Sequence, residues 1–368
     1  MDREGEAPAE PFGVDFATRL GLAKPRPADA FPAKFRYADG MDSNEFRVHV
    51  CPASLRATAV RWLHDRLPSD QQAALLQAVD GTAADDDEAW EGLFLAEQSR
   101  QLIGVAWLQP APGRTAVVWS PGIEGEAAER LFSAIARLVD AREIPLAQYL
   151  GGATARSVAR DAARPVAEIV PDCGFYPLTS LAYLYADLTG ARGRLFESSA
   201  SNCPVSKDDS PAFLPFAGDA EARFIAVLEA TYQQTLDCPQ LDGVRAMADV
   251  LEGYRSQGRH LPQHWYFVRR GDRDAGALIL ASHPGTGNWE LVYMGVAPWA
   301  RGGGLGRKIV RHALACATAE GAERLVLAVD AANRPARDAY LAEGFVEWDR
   351  RTIHVRLGNQ NSGGHKLR

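Results

Sequence analysis

The sequence predicts an α/β fold, with a mixed sheet flanked by helices, and it predicts that this fold is built twice in tandem. Three observations carry that expectation. Strand-like and helix-like stretches alternate along most of the 368 residues. The order β-α-α-β-β-β-α-β-α-β reads once in each half. Landmarks also fall in step: Pro121 answers Pro298, a helix of similar length follows each, and Gly174-Phe175 answers Gly344-Phe345.

Residues 1–45 are rich in Pro, Ala and charge without a sustained period, and read as an irregular arm. Phe46 to Val50 alternates like a strand. Helical stretches follow around Leu55 to Leu63 and from Gln71 to Val79. Gly92 to Ala96 and Leu102 to Leu108 read as a hairpin, and Thr115 to Trp119 as a further strand. Leu131, Ile135, Leu138 and Val139 mark one face of a helix over 126–142. A strand at 146–150, a helix over 154–167 and a strand at 181–188 close the first domain, taken as 46–188.

Gly, Ser, Asn, Pro and Asp crowd 189–211, the best linker candidate. The second domain, 212–358, repeats the order. It has a strand at 213–216, helices at 220–232 and 244–254, and a hairpin of 265–268 with 277–281. A strand at 289–296, a helix at 306–319 and a strand at 325–329 follow, then a helix at 333–342 and a strand at 352–357. Residues 359–368 read as a tail.

Composition narrows the function classes. At 46% hydrophobic and 24% charged, the chain has ample material for a core. A formal net charge of -7 argues against a general nucleic-acid binder. The 5 cysteines are scattered, with no C-x-x-C pair and no Cys/His cluster at metal spacing, so no metal is expected. No apolar run is long enough to span a bilayer, and Met1 to Glu10 lacks an apolar signal-peptide core. These features lead us to expect a cytoplasmic monomer or homodimer.

The chemistry concentrates at Arg301-Gly302-Gly303-Gly304-Leu305-Gly306-Arg307, between a strand and a helix. A helix start offers unpaired N–H groups and the positive end of the dipole, and glycines let backbone close around an anion. That suits a phosphate or pyrophosphate. Arg301 and Arg307 are expected to add positive charge beside it. Two rival loops fail here. The P-loop needs Gly-Lys followed by Ser or Thr, whereas Gly306 is followed by Arg307; the dinucleotide fingerprint needs a third glycine where Ile309 stands.

Arg301, Gly304 and Gly306 meet the pattern Arg/Gln-x-x-Gly-x-Gly/Ala, and Asn333, Tyr340 and Gly344-Phe345 follow in step. Over about its last hundred residues the sequence resembles the GNAT superfamily of N-acetyltransferases. The resemblance implies two acyltransferase-like domains, each a twisted, mostly antiparallel sheet with a splayed strand pair. It implies acetyl-CoA as co-substrate and an amine acceptor, either a small molecule or a peptide or protein amine. It also implies roles for single residues. The backbone of Met294, Gly295 and Val296 would pair with the pantetheine arm, and the N–H groups of Gly302, Gly303, Gly304, Leu305, Gly306 and Arg307 would take the pyrophosphate. Asn333 would bond the cofactor arm, and Tyr340 would protonate the leaving thiolate as general acid. Glu290 is the candidate general base, if side chains alternate regularly from it to Met294; an exposed strand residue is the other reading.

The first half departs from the pattern. Aligned through Pro121, its loop reads Gly122-Ile123-Glu124-Gly125-Glu126-Ala127-Ala128-Glu129, with carboxylates where a pyrophosphate would rest. One worn copy ahead of one working copy is similar to the tandem mycothiol synthase type of that superfamily. A non-catalytic CoA-binding or scaffold protein with two such lobes is the alternative to an enzyme. The acidic run Asp85 to Glu88 is read as a solvated loop rather than a groove for a basic peptide.

Overall fold

A computed structural model describes residues 46–99, 101–150, 166–189 and 210–358. The arm, most of the linker and of the expected 154–167 helix, and the tail lie outside them. We label the strands β1 (Phe46–Val50), β2 (Leu93–Gln98), β3 (Gln101–Ala111), β4 (Thr115–Trp119), β5 (Leu146–Leu150) and β6 (Tyr176–Asp187). In the second half they are β7 (Ala212–Pro215), β8 (Arg259–Arg270), β9 (Arg273–His283), β10 (Asn288–Val296), β11 (Arg324–Asp330) and β12 (Val346–Leu357). The helices are α1 (Arg56–His64), α2 (Ser69–Asp80), α3 (Asp87–Trp90), α4 (Gly125–Ala141), α5 (Val166–Ile169), α6 (Glu221–Tyr232), α7 (Met247–Arg255), α8 (Leu305–Ala319) and α9 (Arg334–Ala342).

The duplicated order is present, but the two halves do not form separate sheets. All described strands join one 12-stranded sheet, ordered β1-β2-β3-β4-β5-β12-β6-β11-β10-β9-β8-β7. Each half gives its last strand to the other. β12 pairs antiparallel with β5, from Ile353↔Leu150 to Leu357↔Leu146. β6 pairs antiparallel with β11, from Arg324↔Asp187 to Asp330↔Leu181. The exchanged strands also pair with each other. This exchange buries what would be two exposed sheet edges, which is how it stabilises the whole.

Hydrophobic periodicity explains the layers. Leu305, Ile309, Val310, Ala313, Leu314 and Ala317 bury one face of α8 against Leu325, Leu327 and Val329 of β11 and Ala182, Leu184 and Ala186 of β6. Each large aliphatic side chain so buried contributes roughly 1.5–3 kcal/mol relative to exposure. On the other face, α6 and α7 cover β8 and β9 through Phe224, Leu228, Leu251, Trp265 and Phe267. The first half has its own core around Phe132, Tyr149 and Phe175. Leu146, Ile353 and Val355 form the seam where β12 enters it.

Within the halves, parallel neighbours behave differently. β10 pairs with β11 only at Asn288↔Arg324, Trp289↔Leu325 and Glu290↔Val326, then diverges. The equivalent pair β4 and β5 stays zipped from Thr115↔Leu146 to Val118↔Tyr149. The splay expected in both halves is therefore confined to the second. In the first, β4 ends one residue later at Trp119 and the loop side chain Ile123 is buried in the core.

Candidate active site

The gap between β10 and β11 is the centre of the site. Its origin lies in β10 itself. The register with β9 runs Leu291↔Leu280 and then Tyr293↔Ile279, so Val292 is an extra residue, a β-bulge that turns the strand aside. Beyond the bulge the ladder to β9 resumes, and Ala297 N–H donates to Ala275 O at 2.8 Å. Because antiparallel residues face their partner alternately, Gly295 is turned to β9. Met294 and Val296 present their backbone to the gap. Gly295 answers a packing need: a Cβ there would lie 2.6 Å from Thr231 Cβ on α6.

The bulge also reverses the alternation. Trp289 and Leu291 pack beneath α8, as do Met294 and Val296, whereas Val292 and Tyr293 pack on the α6–α7 face. Glu290 is therefore on the face opposite Met294, which corrects the regular alternation expected from sequence. It still stands at the fork, in the last rung before the strands part. Its carboxylate shares a 2.8 Å hydrogen bond with His283 Nε2.

The gap opens toward the glycine loop. Gly304 precedes α8 in the left-handed region, at φ 72, and Gly302 is at φ 83. Glycine carries no steric cost there. A Cβ on either would meet nothing within 4 Å, so the space over the loop is open. No side chain caps α8, and its first paired amide is Lys308 N–H, 3.3 Å from Gly304 O. Among the described residues, the amides of Gly302 to Arg307 are an uncapped donor set.

The two loop arginines are placed differently from expectation. The Arg301 guanidinium turns back, donating from Nε to Val296 O at 2.9 Å and from Nη2 to Thr231 O and Gln233 O at 3.0 and 2.7 Å. Nη1 donates to Gln234 O at 3.0 Å. It thus caps the C-terminal end of α6, where unpaired carbonyls attract a cation, instead of flanking an anion. Arg307 Nε bonds Glu343 Oε1 at 2.7 Å, and Arg311 takes the other oxygen at 2.8 Å. The cations that border Gly303 and Leu305 in a shallow hollow are Arg270, at the end of β8, and Lys308, one turn into α8. The sequence reading missed both. Lys308 had a signal, since it lies one helical turn from Gly304.

Across the gap, Asn333 caps α9, its Oδ1 accepting from Ala336 N–H at 3.3 Å. Tyr340 is buried with 5% exposure, its ring against Phe345. Burial pushes its phenol above the ordinary tyrosine range, and the charge of Asp237 adds to the rise. Asp237, on the loop between α6 and α7, was not singled out from sequence. Much of the residue is exposed, yet its Oδ1 is wedged against Asp330 N–H at 2.9 Å. Desolvation raises its carboxyl pKa, opposed by hydrogen bonds from Asp330 N–H and the Asn333 side chain.

Residues 228–345 match the acetyltransferase (GNAT) family. This segment is a GNAT acetyltransferase domain. A mycothiol acetyltransferase of Arthrobacter sp. (strain FB24) is 34% identical over 106 residues, 29% of this chain and 29% of that one. A mycothiol acetyltransferase of Nocardioides sp. (strain ATCC BAA-499 / JS614) is 36% identical over 86 residues, 23% of this chain and 28% of that one. The matched stretches therefore span less than a third of the length of these relatives. A solved GCN5-related N-acetyltransferase from Sphaerobacter thermophilus superposes with a TM-score of 0.56 at 14% identity, covering 85% of this chain and 95% of that chain. A fungal GCN5-related glucosamine N-acetyltransferase region gives 0.52 at 14% identity, covering 86% of this chain and 39% of that one. At such identities these likenesses establish the fold alone, and they extend across both halves of the sheet.

Proposed function

We propose that the protein transfers the acetyl group of acetyl-CoA to a primary amine by direct attack. One observation carries the reading: the gap between β10 and β11 leads from Glu290 to the uncapped amides of Gly302 to Arg307. A long ligand with an anionic end matches that path. Its pyrophosphate rests on the helix-start amides, where the dipole favours negative charge. The pantetheine arm pairs with the outward backbone of Met294 and Val296, and the thioester reaches the bulge.

Glu290, oriented by His283, takes a proton from the incoming ammonium, directly or through water, and so frees the nitrogen lone pair. The nitrogen bonds to the acetyl carbon, and the C–S bond breaks as Tyr340 supplies a proton to the departing thiolate. The surplus proton on the new amide nitrogen passes through water to restore the Tyr340 phenol, while Glu290 gives its proton to solvent. Asn333 steadies the arm from the start of α9. No enzyme-bound acyl group is needed, because holding the two reactants in line removes much of the entropic barrier. The names of the sequence relatives make a mycothiol-type amine the first acceptor to try.

The test is thiol release from acetyl-CoA with a panel of amines, for the wild type and Tyr340→Phe. Amine-dependent release that the variant lacks supports the reading. Tight CoA binding without release by the wild type would replace it with a non-catalytic CoA-binding protein.

A further inference from the structure

Cations gather around the glycine loop, and they are not alike. Arg301 is held by the carbonyls at the end of α6, and Arg307 and Arg311 share the Glu343 carboxylate. Arg270 and Lys308 instead border the shallow hollow beside the loop, together with Pro211, Gly303 and Leu305. No carboxylate belongs to that border. The Arg270 guanidinium comes close to the loop backbone, since a Cβ on Gly303 would lie 3.7 Å from its Nη1. The hollow is on the side of the loop away from the gap: β11 flanks β10 on one side, and β9 and then β8 on the other.

The hairpin that presents Arg270 doubles the positive charge instead of balancing it. Arg270 and Arg273 are the last facing pair before the turn between β8 and β9. Like charges directly opposite one another in a ladder are destabilising. Arg273 lies 4.2 Å over the ring of Trp299, just ahead of the loop, which ties the hairpin end to the loop it flanks. Asp274, the next residue of β9, is held by Arg223 at 2.7 and 2.8 Å. The first turn of α8 likewise carries no acidic residue, although its dipole favours one there. The worn half differs at the same place: its corresponding hairpin closes with the neutral pair Gln98↔Gln101. The cationic hairpin thus accompanies the open amide cradle and is missing where that cradle is lost.

We infer that Arg270 and Lys308 clamp the 3′-phosphate of the coenzyme's adenosine, and so select free CoA thioesters over acyl groups carried on a phosphopantetheine arm alone. The inference rests on the proposed acetyl transfer, which sets the pyrophosphate on the amides of Gly302 to Arg307. The arm leaves that point into the gap, so the ribose leaves on the other side, toward the hollow. A phosphate monoester carries about 1.5–2 negative charges at neutral pH and offers three acceptor oxygens. A guanidinium fork and an ammonium group on two sides of it give charge-assisted hydrogen bonds. Phosphopantetheine and 3′-dephospho-CoA lack this group, and would leave the two cations facing each other across the hollow without an anion between them.

The experiment titrates the full chain with CoA and with 3′-dephospho-CoA, for the wild type, Arg270→Gln, Lys308→Gln and Lys308→Arg. Thermal midpoints check that each variant is folded. The wild type is expected to bind CoA roughly tenfold or more tighter than dephospho-CoA, the scale of hydrogen bonds to charged groups. Each glutamine variant should narrow that ratio to about threefold or less by weakening CoA alone, as a direct pairwise coupling requires. Lys308→Arg keeps the charge and should keep the ratio. Equal affinities for the two ligands in the wild type, a ratio that survives both glutamine variants, or equal weakening of both ligands overturns the clamp and leaves acetyl transfer intact. If the wild type binds neither ligand, the proposed reaction itself fails. Saturation-transfer NMR with adenosine 3′,5′-bisphosphate and AMP then decides the clamp. A signal for the bisphosphate alone, lost in Arg270→Gln, supports it; any other pattern overturns it.

Discussion

Asp237 Oδ1 accepts a 2.9 Å hydrogen bond from the backbone N–H of Asp330. Ala331 N–H is turned to Ser180 O on β6, so alternation turns Asp330 N–H into the gap beside β10. The loop that Arg301 ties to one wall of the gap is thereby tied by Asp237 to the other. The two walls and the loop are mechanically one unit, and substitutions in it should separate binding from chemistry.

Gly304→Glu should weaken CoA binding by tenfold or more, because it places a carboxylate over the amide cradle and forces a side chain into φ 72. Arg301→Ala should instead show first as instability. It leaves the carbonyls at the end of α6 uncapped, which costs about 1–3 kcal/mol. Isothermal titration with CoA and thermal melting, run on both variants, distinguish the two roles. A larger loss of CoA affinity in Arg301→Ala than in Gly304→Glu would refute the assignment of the arginine to loop anchoring.

Tyr340→Phe should keep the fold, since the ring packs on Phe345 and only a hydroxyl is removed. We expect kcat to fall by about 10²-fold or more, in the range of a lost general acid, with the CoA Kd unchanged. Steady-state kinetics and titration check this. A variant with wild-type kcat removes Tyr340 from the reaction.

Acid should destabilise the protein through His312. Its ring is stacked on Phe213 at 3.7 Å, and burial lowers its pKa from 6.5 to about 4. The unfolded chain binds the proton more readily than the folded one between those values. Stability from this site is full above about pH 6.5 and is lost as pH falls toward 4. Urea midpoints measured from pH 7 to pH 4 should decline, and His312→Phe should flatten the decline. An equal slope in the variant would show that other groups govern it.

Ile353→Ala, at the seam where β12 enters the first half, should cost about 2–5 kcal/mol. Because β12 joins β5 to β6, tryptophan fluorescence and far-UV circular dichroism should report one shared shift of the whole transition. Two transitions, with only one displaced, would mean that the exchanged strands do not couple the halves.

The local pattern of the chain determined a good deal by itself. Apolar residues at helical spacing predicted α8 and α4, and alternation predicted the hairpins. The glycines at 302, 303, 304 and 306 marked an open helix start. These features depend on residues a few positions apart, so they are legible in one dimension. Carboxylates at Glu124 and Glu126 likewise predicted that the first-half loop departs from the second.

Only the tertiary structure decided the rest. Nothing near Leu181 or Ile353 signals that β6 and β12 change places, because strand pairing is set by partners far away in sequence. The bulge at Val292 turned Glu290 to the opposite face from Met294, a change that counting by twos cannot foresee. Arg301 was identified by its spacing, yet its guanidinium goes to the carbonyls of Thr231, Gln233 and Gln234, the nearest uncompensated negative charge. Residue types and short spacings specify which elements form and which groups could react. Which side chain faces which depends on long-range register, and that is fixed only when the whole sheet closes its hydrogen bonds.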